Sequence, residues 1–134
     1  MSQVIINAKI YSGTGANPLI ANGFIRFDQT IEMVASMKQY EAREIDTVVD
    51  ANGAVIVPGF IDVHTHGAYG FDTMDGDATE IVQMVRDEIT EGITSVFPTT
   101  MTQSVENIDN AMRAIKIAAQ EEPAIQGFIL KVHL

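Results

Sequence analysis

The chain has no cysteine and no tryptophan, and only eight lysines and arginines against eighteen aspartates and glutamates. Without thiols there is no disulfide framework and no thiolate ligand, so any metal must be held by His, Asp, Glu or water. The formal net charge of -10 repels nucleic acid and anionic membranes over most of the surface. Neither is therefore expected as a partner, while a metal or a local cationic pocket would still admit a small anionic substrate. No apolar run approaches the roughly 18 residues of a membrane span, and Met1-Ser2-Gln3-Val4-Ile5-Ile6-Asn7 lacks the basic start and long apolar core of a signal peptide. These absences predict a soluble cytoplasmic chain. There is also no Walker loop, no dinucleotide-binding glycine loop and no serine-nucleophile elbow.

What is present is a 134-residue chain with 46% hydrophobic residues, enough for one modest domain, or a small one plus part of a larger one. Residues 4–11 read as a strand, and 12–18 as a Gly/Asn/Pro turn. Residues 19–28 read as a second strand interrupted at Asn22-Gly23, a hairpin turn signal. Residues 30–35 read as a third strand, and 36–43 as a short helix or an irregular excursion. Residues 46–50 and 54–57 flank a tight turn at Ala51-Asn52-Gly53. Residues 1–57 are thus expected to be a partial small β-sandwich, with apolar faces too few to complete two layers. Pro58-Gly59 marks a boundary, because proline withholds a ladder donor and glycine permits a sharp change of direction.

Beyond the boundary the periodicity changes. Residues 60–63 form a short apolar strand that runs into His64 and His66, followed by a glycine-containing loop over 67–76. Asp77-Ala78-Thr79-Glu80 has the form of a capping box. Ala78, Ile81, Val82, Val85 and Ile89 then keep helical spacing, and Gly92 suits the position after a helix. Residues 93–97 read as a strand stopped by Pro98, and 99–102 as a hydroxyl-rich loop. Val105, Ile108, Met112, Ile115 and Ala119 mark a second amphipathic helix that Pro123 ends, and 125–130 read as a third apolar strand. Strands buried on both faces and separated by amphipathic helices imply a parallel sheet with right-handed crossovers. Three strands do not close a barrel, which takes roughly 250 residues. Residues 58–134 are therefore either a small open α/β sheet or the first part of a barrel.

In an extended backbone side chains alternate faces, so His64 and His66 leave the strand on the same side. They do so at its C-terminal end, where α/β proteins place their sites. Two imidazoles with a carboxylate nearby can ligate Zn or a similar divalent ion, which lowers the pKa of bound water toward about 7 and polarises a carbonyl. The competing reading is a pair of strand-end histidines hydrogen-bonded to loops, since a working site needs three or four ligands. His133 lies near the terminus and is a weak third candidate. Asp62 shares the face of His64; a structural hydrogen bond is its leading reading, with orienting an imidazole or ligating directly as alternatives. Asp72, Asp75 and Asp77 miss the spacing of a calcium loop; Asp75-Gly76 reads as a turn and Asp77 as a helix cap. On the metal reading the ligands are His64 and His66. Zn is the leading ion, and Fe, Mn and Co also accept imidazole.

The run Val57-Pro58-Gly59-Phe60-Ile61-Asp62-Val63-His64-Thr65-His66-Gly67 resembles the amidohydrolase superfamily. Its continuation Gly67-Ala68-Tyr69-Gly70-Phe71-Asp72-Thr73-Met74-Asp75 resembles, within it, the N-acetylglucosamine-6-phosphate deacetylases, as does Gly92-Ile93-Thr94-Ser95-Val96-Phe97-Pro98-Thr99-Thr100. The resemblance implies a small β-sandwich followed by a (β/α)8 metal-dependent hydrolase barrel. Residues 58–134 would supply the first three strands and two helices. It implies metal-assisted removal of acetate from the acetamido group of an amino-sugar phosphate, with His64 and His66 as ligands of one metal. A different cyclic-amide amidohydrolase would share the same strand.

The departure comes at the end. The third strand of such proteins runs into Gly-x-His-Leu-Glu-Gly-Pro-Phe, whose glutamate is a metal ligand. Here the chain reads Leu130-Lys131-Val132-His133-Leu134, and an ammonium at Lys131 would repel a metal. Loss of a single G from codons for Leu-Glu-Gly-Pro-Phe yields Leu-Lys-Val-His and the start of a leucine codon. This reading predicts a frameshifted, truncated product, inactive alone. An unpaired edge on the third strand further predicts homo-oligomers formed through the exposed sheet edge.

Overall fold

Alternation along β1 (Gln3–Tyr11), β2 (Leu19–Phe27) and β3 (Ile31–Ser36) puts Val4, Phe24 and Ala35 on one face, where they form a buried cluster. The computed structural model describes residues 2–13, 15 and 18–131, and its contacts divide the chain into two units, Met1–Pro58 and Gly59–Leu134. In the first unit β4 (Thr47–Asp50) and β5 (Val55–Ile56) complete a single mixed sheet of order β3-β2-β1-β4, with β5 also on β1. Among the described residues this unit has one sheet layer.

Two details of the first unit correct the sequence reading. Asn22-Gly23 is not a turn: β2 runs straight through it, pairing Gly23 with Ala8 on one side and Ser36 on the other. The glycine answers a close approach. A Cβ there would lie 2.7 Å from Ile20 Cγ2, 2.8 Å from the Ala35 carbonyl oxygen and 2.9 Å from Ile10 Cδ1. Likewise Ala51-Asn52-Gly53 does not close a hairpin. β4 and β5 both run parallel to β1, with Gln3 opposite Thr47 and Lys9 opposite Val55. The turn between them is a jog matched by Asn7 of β1, which has φ of 56°. Residues 37–39 form one 3-10 turn, the short helical option for that segment.

Arg26 is buried in this unit. Its guanidinium lies 2.8 Å from Asp46 Oδ2, donates to the Glu41 carbonyl at 2.7 Å, and stacks near the Phe24 and Tyr40 rings. The Ser2 hydroxyl donates to the same carboxylate. That hydroxyl, and then the Arg26 guanidinium, hold the Asp46 carboxyl below its ordinary value despite the opposing effect of burial.

In the second unit β6 (Phe60–Thr65) leads into a two-stranded hairpin, β7 (Gly67–Ala68) with β8 (Phe71–Asp72), and a 3-10 turn over 73–75. The sequence reading held this whole segment to be a loop. A Cβ on Gly67 would lie 2.3 Å from the Phe71 carbonyl oxygen, so only glycine lets the hairpin close there. Tyr69 and Gly70, both at positive φ, turn it. Asp77 caps α1 (Ala78–Thr90), accepting from the Thr79 and Glu80 amides. The reciprocal capping box falls one turn earlier, between Asp72 and Asp75. β9 (Ile93–Pro98) then pairs parallel with β6, and α2 (Val105–Glu121) follows.

The third strand is present only as two parallel bridges to the β9 line, Val96 with Ile125 and Thr99 with Ile129. The core lies between the helices and β9: Ile81, Met84 and Val85 of α1 meet Ala114, Ile115 and Ala118 of α2 over Val96 and Ile125. The buried face of α2 is therefore its alanine side. Of the residues expected in the core, Ile108 and Ile115 are buried there, whereas Val105 and Ala119 are exposed. β6 is not buried on both faces: Phe60, Ile61 and Val63 are each about three-fifths exposed, and among the described residues this strand pairs with β9 alone.

The buried ion pair generates a stability test. Arg26→Met leaves Asp46 buried without its cation and is expected to lower the unfolding midpoint by about 10 °C, with the double change Arg26→Met, Asp46→Leu recovering most of it. The depressed carboxyl also sets a direction with pH. Its contribution is complete above the ordinary value of 3.8 and is lost as pH falls through the lower folded value. Wild type should thus lose its advantage over Asp46→Asn in thermal melts as pH drops below about 4.

Candidate metal centre

His64 is the penultimate residue of β6 and His66 follows just past its end. Their Nε2 atoms lie 3.3 Å apart, with ring centroids separated by 5.0 Å and planes at 85°. His66 is held on three sides. Its Nδ1 lies 3.0 Å from the Thr99 carbonyl oxygen, its own carbonyl accepts from the Thr73 amide at 2.8 Å, and the preceding Thr65 carbonyl accepts from the Thr99 amide at 2.7 Å. A carbonyl only accepts, so His66 Nδ1 carries the proton and Nε2 presents a lone pair. This is the arrangement by which a metal-ligating histidine is oriented through its outer nitrogen. Two nitrogens each about 2.0–2.1 Å from a tetrahedral ion are about 3.3–3.4 Å apart, so the observed separation fits a divalent cation. The other arrangement compatible with 3.3 Å is a long hydrogen bond from His64 Nε2 to His66 Nε2.

Asp62 makes a structural hydrogen bond, though not near Pro58-Gly59, where its leading reading put one: its Oδ1 accepts from the His64 backbone amide at 2.9 Å. Glu88 of α1 is buried, and its Oε2 has no hydrogen-bond partner among the described residues. Burial, and then the charges of Asp62 and Glu91, push its carboxyl above the ordinary range. Glu91 accepts from the Tyr69 hydroxyl, a bond that favours the neutral phenol and pushes it up to about 12. The β7–β8 hairpin is thereby tied to the C-terminal end of α1.

Among the described residues no set of three His, Asp or Glu side chains is placed to hold a metal ion. His133 lies outside the described residues. Lys131 is exposed at the end of the third strand, its amide donating to Thr100 Oγ1 at 2.9 Å. What sequence reasoning missed is the role of Thr73 and Thr99, both buried. They act through backbone atoms, which leave no side-chain signature; the hydroxyl-rich stretch after β9 was the only hint.

The amidohydrolase family profile matches residues 55–131, from β5 to the end of the third strand. The chain belongs to the amidohydrolase family. This amidohydrolase chain is 37% identical over 123 residues to an N-acetylglucosamine-6-phosphate deacetylase of Bacillus subtilis, covering 88% of this chain and 30% of that protein. It is 38% identical over 81 residues to the enzyme of the same name from Lysinibacillus sphaericus, covering 60% and 21%. Its fold matches the crystal structure of N-acetylglucosamine-6-phosphate deacetylase from Pasteurella multocida, with a TM-score of 0.78 at 21% identity over 90% of this chain and 31% of that one. The chain thus spans about a third or less of the length of each. Among the described residues of the amidohydrolase chain, no helix is long and apolar enough to cross a membrane.

Two measurements check this geometry. Nitrogen-15 NMR of metal-free protein should show the His66 ring protonated at Nδ1; the Nε2-protonated tautomer would mean that Thr99 does not orient it. Glu88→Gln should raise the unfolding midpoint at pH 7 and lose that advantage at about pH 4. A carboxyl raised on folding stabilises fully below its unfolded value of 4.5 and loses that contribution as pH rises through the higher folded one.

Proposed function

We propose that His64 and His66 are ligands of a divalent metal, and that the chain corresponds to the metal-binding first part of an N-acetylglucosamine-6-phosphate deacetylase. The observation that carries this reading is the convergence of two Nε2 atoms at 3.3 Å with the outer nitrogen of one ring held on a backbone carbonyl. The names of the relatives support the substrate: N-acetylglucosamine 6-phosphate, hydrolysed at its acetamido group. Water adds across the amide C–N bond, so that acetate takes the hydroxyl oxygen and glucosamine 6-phosphate keeps the amine.

When bound, the ion supplies Lewis-acid polarisation of the amide carbonyl and a more acidic water. The residues of this chain do the holding. Thr99 keeps His66 in the tautomer whose Nε2 is free, Thr73 and Thr65 pin its backbone to the neighbouring elements, and Asp62 fastens the backbone at His64. Zn is the leading ion by ligand preference, with Fe, Mn and Co also compatible with imidazole. Lys131 brings an ammonium where the deacetylase pattern carries a ligating glutamate. A small-molecule substrate, rather than nucleic acid or a membrane, fits the net charge of -10, and a cytoplasmic setting fits a cysteine-free hydrolase.

Two ligands hold an ion less completely than the three or four of a working centre. The purified 134-residue chain is therefore expected to retain Zn, measured by plasma mass spectrometry after desalting, and to release no acetate from N-acetylglucosamine 6-phosphate above a His64→Ala control. His64→Ala should weaken Zn binding by more than about 100-fold, beyond what loss of an outer hydrogen bond costs. Unchanged metal content in that variant would remove the assignment.

A further inference from the structure

We infer that Met74 is a positioning residue for His66, acting as the hydrogen-bond acceptor that ties the loop after β9 to the turn after the β7–β8 hairpin. The inference rests on the reading that His66 binds metal and adds what keeps its ring aimed.

The aspartates of Asp72-Thr73-Met74-Asp75 close the 3-10 turn on itself. Asp72 Oδ1 accepts from the Met74 amide at 2.8 Å, and Asp75 Oδ2 accepts from the Asp72 amide at 3.1 Å. The turn so fixed reaches in two directions. The buried Thr73 donates its amide to the His66 carbonyl at 2.8 Å. The half-buried Met74 accepts the Met101 amide at its Sδ, at 3.2 Å. Met101 stands two residues after Thr99, whose carbonyl holds His66 Nδ1.

The stretch from Thr99 to Met101 directs its consecutive amides to three different elements. Thr99 donates to the Thr65 carbonyl of β6 at 2.7 Å, Thr100 to the Ile129 carbonyl of the third strand at 3.0 Å, and Met101 to Met74. His66, Thr73, Met74, Met101 and Thr99 thus form a closed circuit that starts at the His66 carbonyl and returns to the His66 ring. Apart from that ring, Met74 supplies the one side-chain link between elements in the circuit, so it is the link a substitution can remove. A thioether is a weak acceptor, but Met101 is exposed, and its amide, once released, turns to water. The loop is then fixed at two points instead of three, and the Thr99 carbonyl holds the ring less narrowly in one tautomer. That is the outer-nitrogen control by which a ligating histidine is oriented.

Two substitutions separate this role from packing. Met74→Leu keeps the apolar bulk and removes the acceptor, whereas Met74→Gln keeps an acceptor, its side-chain carbonyl, and gives up apolar bulk. The readouts are hydrogen exchange at the Met101 amide, nitrogen-15 NMR of the His66 ring in metal-free protein, and Zn2+ affinity by competition with a chromophoric chelator. In Met74→Leu the Met101 amide should exchange more than about 10-fold faster and the His66 ring should populate both tautomers. Its Zn2+ binding should weaken by about 10-fold, the low end of what loss of an outer partner costs. Met74→Gln should stay close to wild type in all three. Wild-type tautomer and affinity in Met74→Leu would overturn the inference and leave the metal assignment standing. So would impairment of Met74→Gln alone, or loss of the wild-type circular dichroism spectrum in both variants, since either marks Met74 as a packing residue. A tautomer change in Met74→Leu, in a chain whose wild type retains no Zn2+, would uphold the positioning of the ring and remove the metal assignment.

Discussion

The hydrogen bond from His66 Nδ1 to the Thr99 carbonyl oxygen is the contact on which the chemical reading depends. It joins the residue just after the first parallel strand to the residue just after the second. It fixes which nitrogen of the ring is protonated and therefore which is free. A rotated ring would direct a proton toward His64 and close the gap that a cation needs. The bond exists because β6 and β9 pair in parallel and, after a register shift between Asp62 and Thr65, bring Thr65 opposite Pro98, so that both strands end at the same level. Everything that sets that register contributes indirectly: the Gly92 carbonyl accepting from the Phe60 amide at the other end, and the helix packing that seats β9.

That packing is uneven. The α1 and α2 core covers β9 and the third strand but leaves β6 open, and the two histidines sit on the open strand. A site on an exposed strand end is accessible to an ion and to large partners alike. The hairpin after His66 and its Tyr69–Glu91 tether stiffen the segment from one side, and the Thr73 amide anchors it to the His66 carbonyl. The pair is thus held by backbone bonds on both flanks even though its side chains are not enclosed, a form of preorganisation that does not rely on burial.

Much of the second unit was legible from periodicity. The 3.6-residue spacing of Ile81, Val82 and Val85 marks α1 because one stripe must meet the core, and the short apolar run of 93–97 marks β9 because proline follows it. Local glycine chemistry was less reliable. Asn22-Gly23 has the form of a turn, yet its glycine serves a close approach of Ile10 and the Ala35 backbone, which only the neighbouring strands reveal. The core face of α2 was legible at Ile108 and Ile115 but not at Ala111, Ala114 and Ala118, for a related reason. Alanines carry little hydrophobic weight in a sequence pattern, but at a tight helix crossing their small size is what packs.

The sequence by itself determined the alternation of main strands and helices in the second unit, though not the hairpin after His66, the family, and the placement of two imidazoles on one side of a strand end, since alternation along an extended backbone is a local property. Whether the imidazole nitrogens converge, which of them carries a proton, and whether other ligands stand near was decided only by the tertiary structure. Those questions turn on Thr99, far from the pair along the chain, and on Thr73, which meet it through backbone atoms rather than through any side-chain motif.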